Sequence, residues 1–315
     1  MALLVIGSDR APHFHEILSR EAPDRDVRLW PDVGNASDIK AALAWGPQPG
    51  ELAKLGNLEF IVSVGAGVDH LFRDPTLPDV PIVRYVDPDL TGRMTEYVVL
   101  HTLYHSRRML EFRDLQAAAQ WRYIPEPAAK DVRVGIMGLG VLGTASAQAL
   151  ASLGYQMRGW SRTPKSIDGV ACFAGSDGLT DFLKDTDILV VLLPLTPDTR
   201  GIINLDLLDR LSRAGRHHRM PGPVLINAGR GGLQVEADIL AALETRQLYA
   251  ASLDVFEVEP LPRTSPLWAH PRVVITPHNS AESTSESIVA YFLAAVATRE
   301  AGKPLSNVVD RLRQY

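Results

Sequence analysis

Cysteine is almost missing from this chain: Cys172 is the only one in 315 residues. An intrachain disulfide is therefore impossible and no thiolate cluster can hold a metal, which suits a reducing, cytoplasmic setting. No apolar run approaches the roughly 18 residues of a membrane-spanning helix. Positive charge is not in surplus either. Lys and Arg number 32 against 37 Asp and Glu, a net charge of −5, which argues against a broad nucleic-acid surface. No basic side chain precedes Leu3-Leu4-Val5-Ile6, so this apolar start is expected to be a first strand rather than a secretory signal. Repeats and low-complexity tracts are absent. What remains is an ordinary globular composition, 46% hydrophobic and 22% charged, long enough for two domains.

Short apolar runs alternate with helical patterns from the start. Strands are expected at 3–6, 26–29, 41–45, 60–64 and 81–85, with a helix around 13–20 and a sharp stop at Gly46-Pro47-Gln48-Pro49-Gly50. Residues 95 to about 119 read as one long helix bridging two domains. A second series of strands follows at 132–136, 156–160, 188–193, 223–227, 249–253 and 273–275. A last helix at 280–301 could return the chain to the first domain. Parallel strands with crossover helices imply an α/β protein of two doubly wound parallel-sheet domains with a cleft between them. The expected boundaries are 1–96 plus about 282–315 for one domain and 97–281 for the other.

The second domain opens on Val132-Arg133-Val134-Gly135-Ile136-Met137-Gly138-Leu139-Gly140-Val141-Leu142-Gly143, a strand, then G-x-G-x-x-G, then a helix. Three glycines alone are a weak signal; the strand before and the Ala- and Leu-rich helix after give them meaning. Gly138 permits the tight turn, Gly140 lets backbone approach a pyrophosphate, and Gly143 lets the helix pack on the strand. The helix start at Val141 and Leu142 then turns N–H groups to the phosphates. This is a Rossmann dinucleotide site. NAD sites place an acid at the end of the next strand, where this chain has Trp160-Ser161-Arg162-Thr163-Pro164-Lys165. Arg162 can pair with a ribose 2′-phosphate, Ser161 and Thr163 can donate to it, and Lys165 can add charge, so NADPH is expected over NADH. NADH remains open if Arg162 stacks on adenine instead.

Three later strands end in chemistry. Val224-Leu225-Ile226-Asn227-Ala228-Gly229-Arg230-Gly231-Gly232 leads to an arginine between glycines. Asp254-Val255-Phe256-Glu257-Val258-Glu259-Pro260 is an acidic loop, and Thr276-Pro277-His278 ends the last strand. In open α/β sheets ligands bind at carboxyl ends of strands, so an arginine, an acid and a histidine can hold a carboxylate and move a proton.

These motifs, N-x-x-R-G, D-V-F-x-x-E-P and P-H in order, resemble the D-2-hydroxyacid dehydrogenases. The Trp-Ser-Arg segment and Met94-Thr95-Glu96-Tyr97 look most like their glyoxylate/hydroxypyruvate reductase branch. The resemblance implies a flavodoxin-like substrate domain first and reduction of a small 2-keto acid to its 2-hydroxy acid. By it, Arg230 orients the substrate carboxylate and polarises the keto oxygen, His278 is the general acid, and Glu259 holds the histidine's tautomer and favours its charged form. Glu257 is the rival acid, but the acid directly before proline matches the family. Asp254 would bind the nicotinamide carboxamide, with Ala228, Pro194, Leu195 and Thr199 on the cofactor side. Gly65-Ala66-Gly67-Val68 would present backbone N–H groups to the substrate carboxylate through Ala66, Gly67 and Val68, and Trp45 would wall the pocket. A homodimer is implied, with the segment 116–123, ending Gln120-Trp121-Arg122-Tyr123, reaching a partner copy. Two alternatives stay open: a dehydrogenase for a different 2-hydroxy acid, or a non-catalytic NAD(P)-sensing protein of the same fold.

Two further clusters read as structural. His101 and His105, four apart on the bridge helix, have metal-like spacing but no third ligand is suggested, and no metal is expected. The stretch 210–223, with Arg210, Arg213, Arg216, His217, His218 and Arg219, reads as a solvated basic loop because Gly215, Pro221, Gly222 and Pro223 break it.

Overall fold

The computed structural model describes residues 1–7, 9–211 and 215–315. In chain order its elements begin β1 (Ala2–Gly7), α1 (Ala11–Glu21), β2 (Asp26–Leu29), β3 (Ile39–Trp45), β4 (Phe60–Ser63), β5 (Ile82–Val83), α2 (Pro88–Ser106) and α3 (Met109–Ala117). Next come β6 (Arg133–Met137), α4 (Val141–Ser152), β7 (Gln156–Ser161), β8 (Val170–Ala174), α5 (Gly175–Leu183) and β9 (Ile188–Val191). The last are α6 (Leu205–Asp209), β10 (Val224–Asn227), α7 (Glu236–Glu244), β11 (Ala250–Leu253), β12 (Val273–Ile275) and α8 (Ser285–Glu300). The chain divides into two compact units, Met1–Leu90 with Ser283–Tyr315, and Thr91–Glu282. The first division falls in the opening turn of α2, ahead of the 96/97 boundary expected.

The first unit holds a five-stranded parallel sheet in the order β2-β1-β3-β4-β5. The order reverses between β1 and β3, the switch point of a flavodoxin-like sheet, and Trp45 stands at the carboxyl end of β3 there. Leu3, Leu4, Val5, Ala42, Leu43, Ile61 and Val62 are fully buried, as a sheet covered on both faces requires. Helix α1 buries Phe14, Ile17 and Leu18 and packs on α8. Helix α8 starts at Ser285 rather than near 280, because the Thr284 hydroxyl accepts from the Ser287 N–H at 3.2 Å and caps it.

The second unit is a seven-stranded parallel sheet, β12-β11-β10-β9-β6-β7-β8. Alternate residues serve opposite faces. Met137, Leu189, Val191 and Leu225 join one core, and Val134, Ile136, Ile188, Val190 and Ile226 the other. The order reverses between β6 and β9, so the loops after those strands, 138–140 and 192–196, open at the switch point where dinucleotides bind.

Two sequence expectations need correction. The single helix over 95–119 is two: α2 starts earlier at Pro88, a residue suited to a first turn, and ends at Ser106. Arg108 then takes a left-handed conformation at φ +59°, its side chain pairing with Glu111 and donating to the Arg219 carbonyl at 2.9 Å. Strand β8 was not expected. It is an edge strand, Val-Ala-Cys-Phe-Ala, that is as apolar as a core strand although Ala171 is exposed and the other four residues are only partly buried. No helix among the described residues is long and apolar enough to cross a membrane.

Candidate active site

The three fingerprint glycines differ in what surrounds them, and the differences match their chemistry. Gly138 is left-handed at φ +113°, and a Cβ there would lie 2.7 Å from the Leu192 carbonyl oxygen. A Cβ on Gly143 would lie 1.9 Å from the Gly138 oxygen, so only glycine lets α4 seat on the β6 turn. Around Gly140 a Cβ would meet nothing within 4 Å. That open space lies at the start of α4, where the N-cap is Gly140 and, among the described residues, no side chain caps the first-turn N–H groups. Open room beside uncapped helix N–H groups suits a pyrophosphate, so the residues present fit a dinucleotide.

The end of β7 separates the residues expected at the ribose. Arg162, Thr163 and Lys165 are exposed, while Ser161 is buried and donates to the Thr163 carbonyl at 2.8 Å. Trp160 is core: its indole N–H is already given to the Gly175 carbonyl at 2.9 Å, so it shapes the strand end and offers no polar group. After β9, Thr199 accepts from the Thr196 N–H and donates to the Pro194 carbonyl, at 2.8 and 2.7 Å, fixing the loop that carries Pro194 and Leu195. Leu195 and Ala228 are nearly buried.

Arg230 leaves the end of β10 on a turn held from within. The Asn227 side chain accepts from the Gly229 N–H at 3.1 Å and donates to Gln234 Oε1 at 2.8 Å, and Gln234 donates to the Val255 carbonyl at 2.9 Å. The glycine after Arg230 is obligatory: a Cβ on Gly231 would lie 1.7 Å from the Phe256 oxygen.

His278 and Glu259 form a pair, Nδ1 to Oε2 at 2.7 Å, with side chains 38% and 36% exposed. Glu259 Oε1 also accepts from the Phe256 N–H at 3.0 Å. Burial pushes the Glu259 carboxyl up, but the hydrogen bonds from His278 and Phe256 and the charges of His278 and Arg230 outweigh it, and its pKa lies below the usual carboxylate range. With Nδ1 bonded to a carboxylate, Nε2 is the ring nitrogen left for a substrate. Glu257 is engaged elsewhere: its carboxylate accepts from the Glu236 N–H at the start of α7 and its own N–H donates to the Glu236 carboxylate, which separates it from the histidine's chemistry.

The backbone of His278 is left-handed at φ +53°, and Asp254 holds it there. The His278 N–H donates to the Asp254 carbonyl at 2.8 Å. The Asp254 carboxylate accepts from the Thr276 hydroxyl at 2.6 Å and from the Asn279 and Ser280 N–H groups, both at 3.0 Å. Since Thr276 donates to Asp254, the Tyr97 hydroxyl, 2.9 Å away, must donate to Thr276. Asp254 is fully buried. Its carboxylate thus organises the histidine's loop. Gln234, Thr276 and Tyr97 are positioning residues whose roles the sequence motifs do not reveal.

In the first unit, Trp45 is half-buried and its ring covers Gly65, where a Cβ would lie 2.7 Å from Cζ3. Ala66 and Gly67 are half-buried and Val68 buried. His101 and His105 are buried, each 2.8 Å from the Ser252 hydroxyl, and no group of three metal-binding side chains exists among the described residues. In the basic stretch Arg210 pairs with Asp206 and Arg219 donates to the Glu126 carbonyl; Arg213 lies outside the described residues.

Comparison with known proteins adds to this geometry. A family model described as the NAD binding domain of D-isomer specific 2-hydroxyacid dehydrogenases matches residues 99–280. A glyoxylate/hydroxypyruvate reductase A of Serratia proteamaculans is 40% identical over 304 residues, 95% of this chain and 94% of the relative. A solved NADPH-dependent glyoxylate/hydroxypyruvate reductase of Sinorhizobium meliloti, in complex with NADP and sulfate, is 42% identical with a TM-score of 0.92, covering 100% of both chains. A probable 2-hydroxyacid dehydrogenase of Rhizobium etli, in complex with NADP, HEPES and L(+)-tartaric acid, is 41% identical with a TM-score of 0.93, covering 100% of this chain and 99% of the other.

Proposed function

The chain belongs to the D-isomer specific 2-hydroxyacid dehydrogenases, NAD(P)-dependent oxidoreductases, and we propose that it reduces glyoxylate or hydroxypyruvate with NADPH as the preferred cofactor. The observation that carries this reading is the His278–Glu259 pair at 2.7 Å, with Arg230 close enough to lower the Glu259 pKa. An NAD(P) sensor without catalysis has no use for an acid–base pair beside a fixed cation. That contrast is why the enzyme is preferred to the sensing alternative.

Nicotinamide, when bound, supplies a hydride to the carbonyl carbon. The Arg230 guanidinium holds the substrate carboxylate and draws charge from the keto oxygen. His278 gives its Nε2 proton to that oxygen as it becomes a hydroxyl, and recovers one from solvent through its exposed edge. Glu259 keeps the imidazole oriented and offsets its charge before transfer. The net change consumes one hydride and one proton and yields the 2-hydroxy acid. In the first unit, we read Ala66, Gly67 and Val68 as the backbone donors of the carboxylate subsite, with Trp45 as its wall. Occupation of the Rhizobium etli structure by tartaric acid, itself a 2-hydroxy acid, supports this substrate class.

NADPH is preferred because Arg162, Thr163 and Lys165 stand exposed at the end of β7 and residues 160–165 include no acid to repel a 2′-phosphate. A homodimer completes the reading, since Trp121 and Tyr123 stand almost wholly in solvent on the segment after α3. Light scattering on the purified chain tests it, and a monomer at micromolar concentration contradicts it. The catalytic reading is tested by steady NADPH consumption over a panel of 2-keto acids. Glyoxylate and hydroxypyruvate should be the best substrates, and a preference for bulky or phosphorylated acids would overturn the assignment.

A further inference from the structure

Two loops of the first unit leave the carboxyl ends of neighbouring parallel strands. One follows Trp45 of β3 and the other follows Ser63 of β4, and the last backbone register between these strands joins Ala44 to Ser63. Beyond it, a side chain from the turn after the second loop connects the two. His70 is buried, its ring centroid 4.4 Å from that of Trp45 at a tilt of 50°.

The hydrogen bonds of His70 have only one consistent direction. The Gly46 N–H donates to Nδ1 at 3.0 Å, and a backbone N–H cannot accept, so Nδ1 carries the lone pair. In the neutral ring the proton is then on Nε2, 3.0 Å from the Ser63 hydroxyl, which donates onward to the Gly67 carbonyl at 3.1 Å. The chain therefore runs from the Gly46 N–H through His70 and Ser63 to the Gly67 oxygen. Ser63 is fully buried, so these bonds face little competition from water. Because a trans peptide sets C=O and N–H in opposite directions, fixing the Gly67 oxygen also fixes where the Val68 N–H aims. Asp74 adds a second clasp by accepting from the Gly50 N–H at 2.9 Å, so both ends of the 46–50 loop are tied to the segment after β4.

We propose that His70 is a positioning residue for substrate: it sets the spacing of Trp45 against the 65–68 loop, and so the affinity for the 2-keto carboxylate. This rests on reading that loop as the carboxylate subsite. His70 acts through Trp45, Ser63 and the Gly67–Val68 peptide and is not assigned contact with the reacting atoms.

The test is steady-state kinetics on His70→Phe, His70→Asn and Ser63→Ala in the full-length protein. His70→Phe keeps a ring beside Trp45 and loses the hydrogen bonds to Gly46 and Ser63. It should raise the glyoxylate KM about 10-fold, with kcat within about 3-fold and the NADPH KM unchanged. Ser63→Ala should move the glyoxylate KM in the same direction by about 3-fold. His70→Asn keeps an acceptor for the Gly46 N–H and should recover part of the loss. An unchanged glyoxylate KM in Ser63→Ala and in folded His70→Phe overturns the proposal. So does a parallel worsening of kcat and both KM values, which marks a general structural role. Should His70→Phe not fold, Ser63→Ala decides by the same criterion. Absence of glyoxylate turnover in the unmodified protein would instead overturn the substrate reading beneath it.

Discussion

Glu259 Oε2 lies 2.7 Å from His278 Nδ1, and the histidine it holds sits on left-handed backbone at φ +53°. A non-glycine residue in that conformation costs on the order of 1–3 kcal/mol, so the loop is held there by its surroundings. Asp254 supplies four of the bonds that do so, one through its carbonyl and three through its carboxylate. The strained histidine, its acid partner and the buried carboxylate beneath act as one unit.

Glu259→Gln keeps the shape of the pair and removes its charge. Turnover with glyoxylate is expected to fall by about 10- to 100-fold, with the NADPH KM unchanged. Because the Glu259 pKa is lowered below its ordinary 4.5, the carboxylate's contribution is present above that value and lost only as pH falls through the lower folded value. The difference between the two proteins should therefore persist down to pH 4.5 in a pH series. Equal turnover would remove Glu259 from the mechanism.

The fingerprint glycines should separate under alanine substitution. Gly143→Ala forces a Cβ against the Gly138 oxygen and should lower stability by more than about 3 kcal/mol in denaturant titration. Gly140→Ala fills open space, so stability should hold while NADPH binding weakens at least about 10-fold. If both variants lost stability alike, Gly140 would be a structural glycine and not a phosphate-side one.

Arg162→Ala tests the cofactor choice. Loss of a bidentate phosphate partner should weaken NADPH binding by roughly 10- to 100-fold and leave NADH within about 3-fold, measured by fluorescence titration of both. Equal losses would mean that Arg162 meets the adenine.

Much of the fold is visible in the amino-acid order for a simple reason. Strands β6, β9, β10 and β11 are buried on both faces, and the short apolar runs expected at 132–136, 188–193, 223–227 and 249–253 end within two residues of their observed bounds. Edge strand β8, Val-Ala-Cys-Phe-Ala, is an equally apolar run that the expected strands omit, and the fold leaves it only partly buried at the sheet edge. The helix break at Arg107-Arg108 has neither Gly nor Pro to announce it; Arg108 is held there by nearby Glu111 and by the distant Arg219 carbonyl. The site divides the same way. Arg230, Glu259 and His278 stand in compact motifs at strand ends, and the structure does bring His278 to Glu259. Of the residues that hold them, Tyr97 reaches Thr276 and Gln234 reaches Val255 across long stretches of chain, contacts that no local pattern announces. Trp160 stands in the same segment as Arg162, and period-2 geometry turns its side chain into the core.

His101 and His105 make the second unit sensitive to acid. Burial takes His101 down to about 4, against a smaller raising pull from Asp254, and burial with repulsion from His101 takes His105 down to about 3. Both folded values lie below the ordinary 6.5, so between them the unfolded chain binds protons that the folded one does not. Stability should be full above about pH 6.5 and fall as pH drops, at about 1.4 kcal/mol per pH unit per histidine. Urea midpoints at several pH values check this, and His105→Gln should flatten the slope. Midpoints that stay level from pH 6.5 down to pH 5 would contradict it.

The most direct measurement compares NADPH oxidation by glyoxylate in the unmodified protein and in His278→Ala, with NADPH binding measured separately in both. The account predicts turnover in the first, a loss of about 10²- to 10⁴-fold in the second, and the same NADPH affinity. Comparable turnover in the two proteins, or none in either, would contradict it.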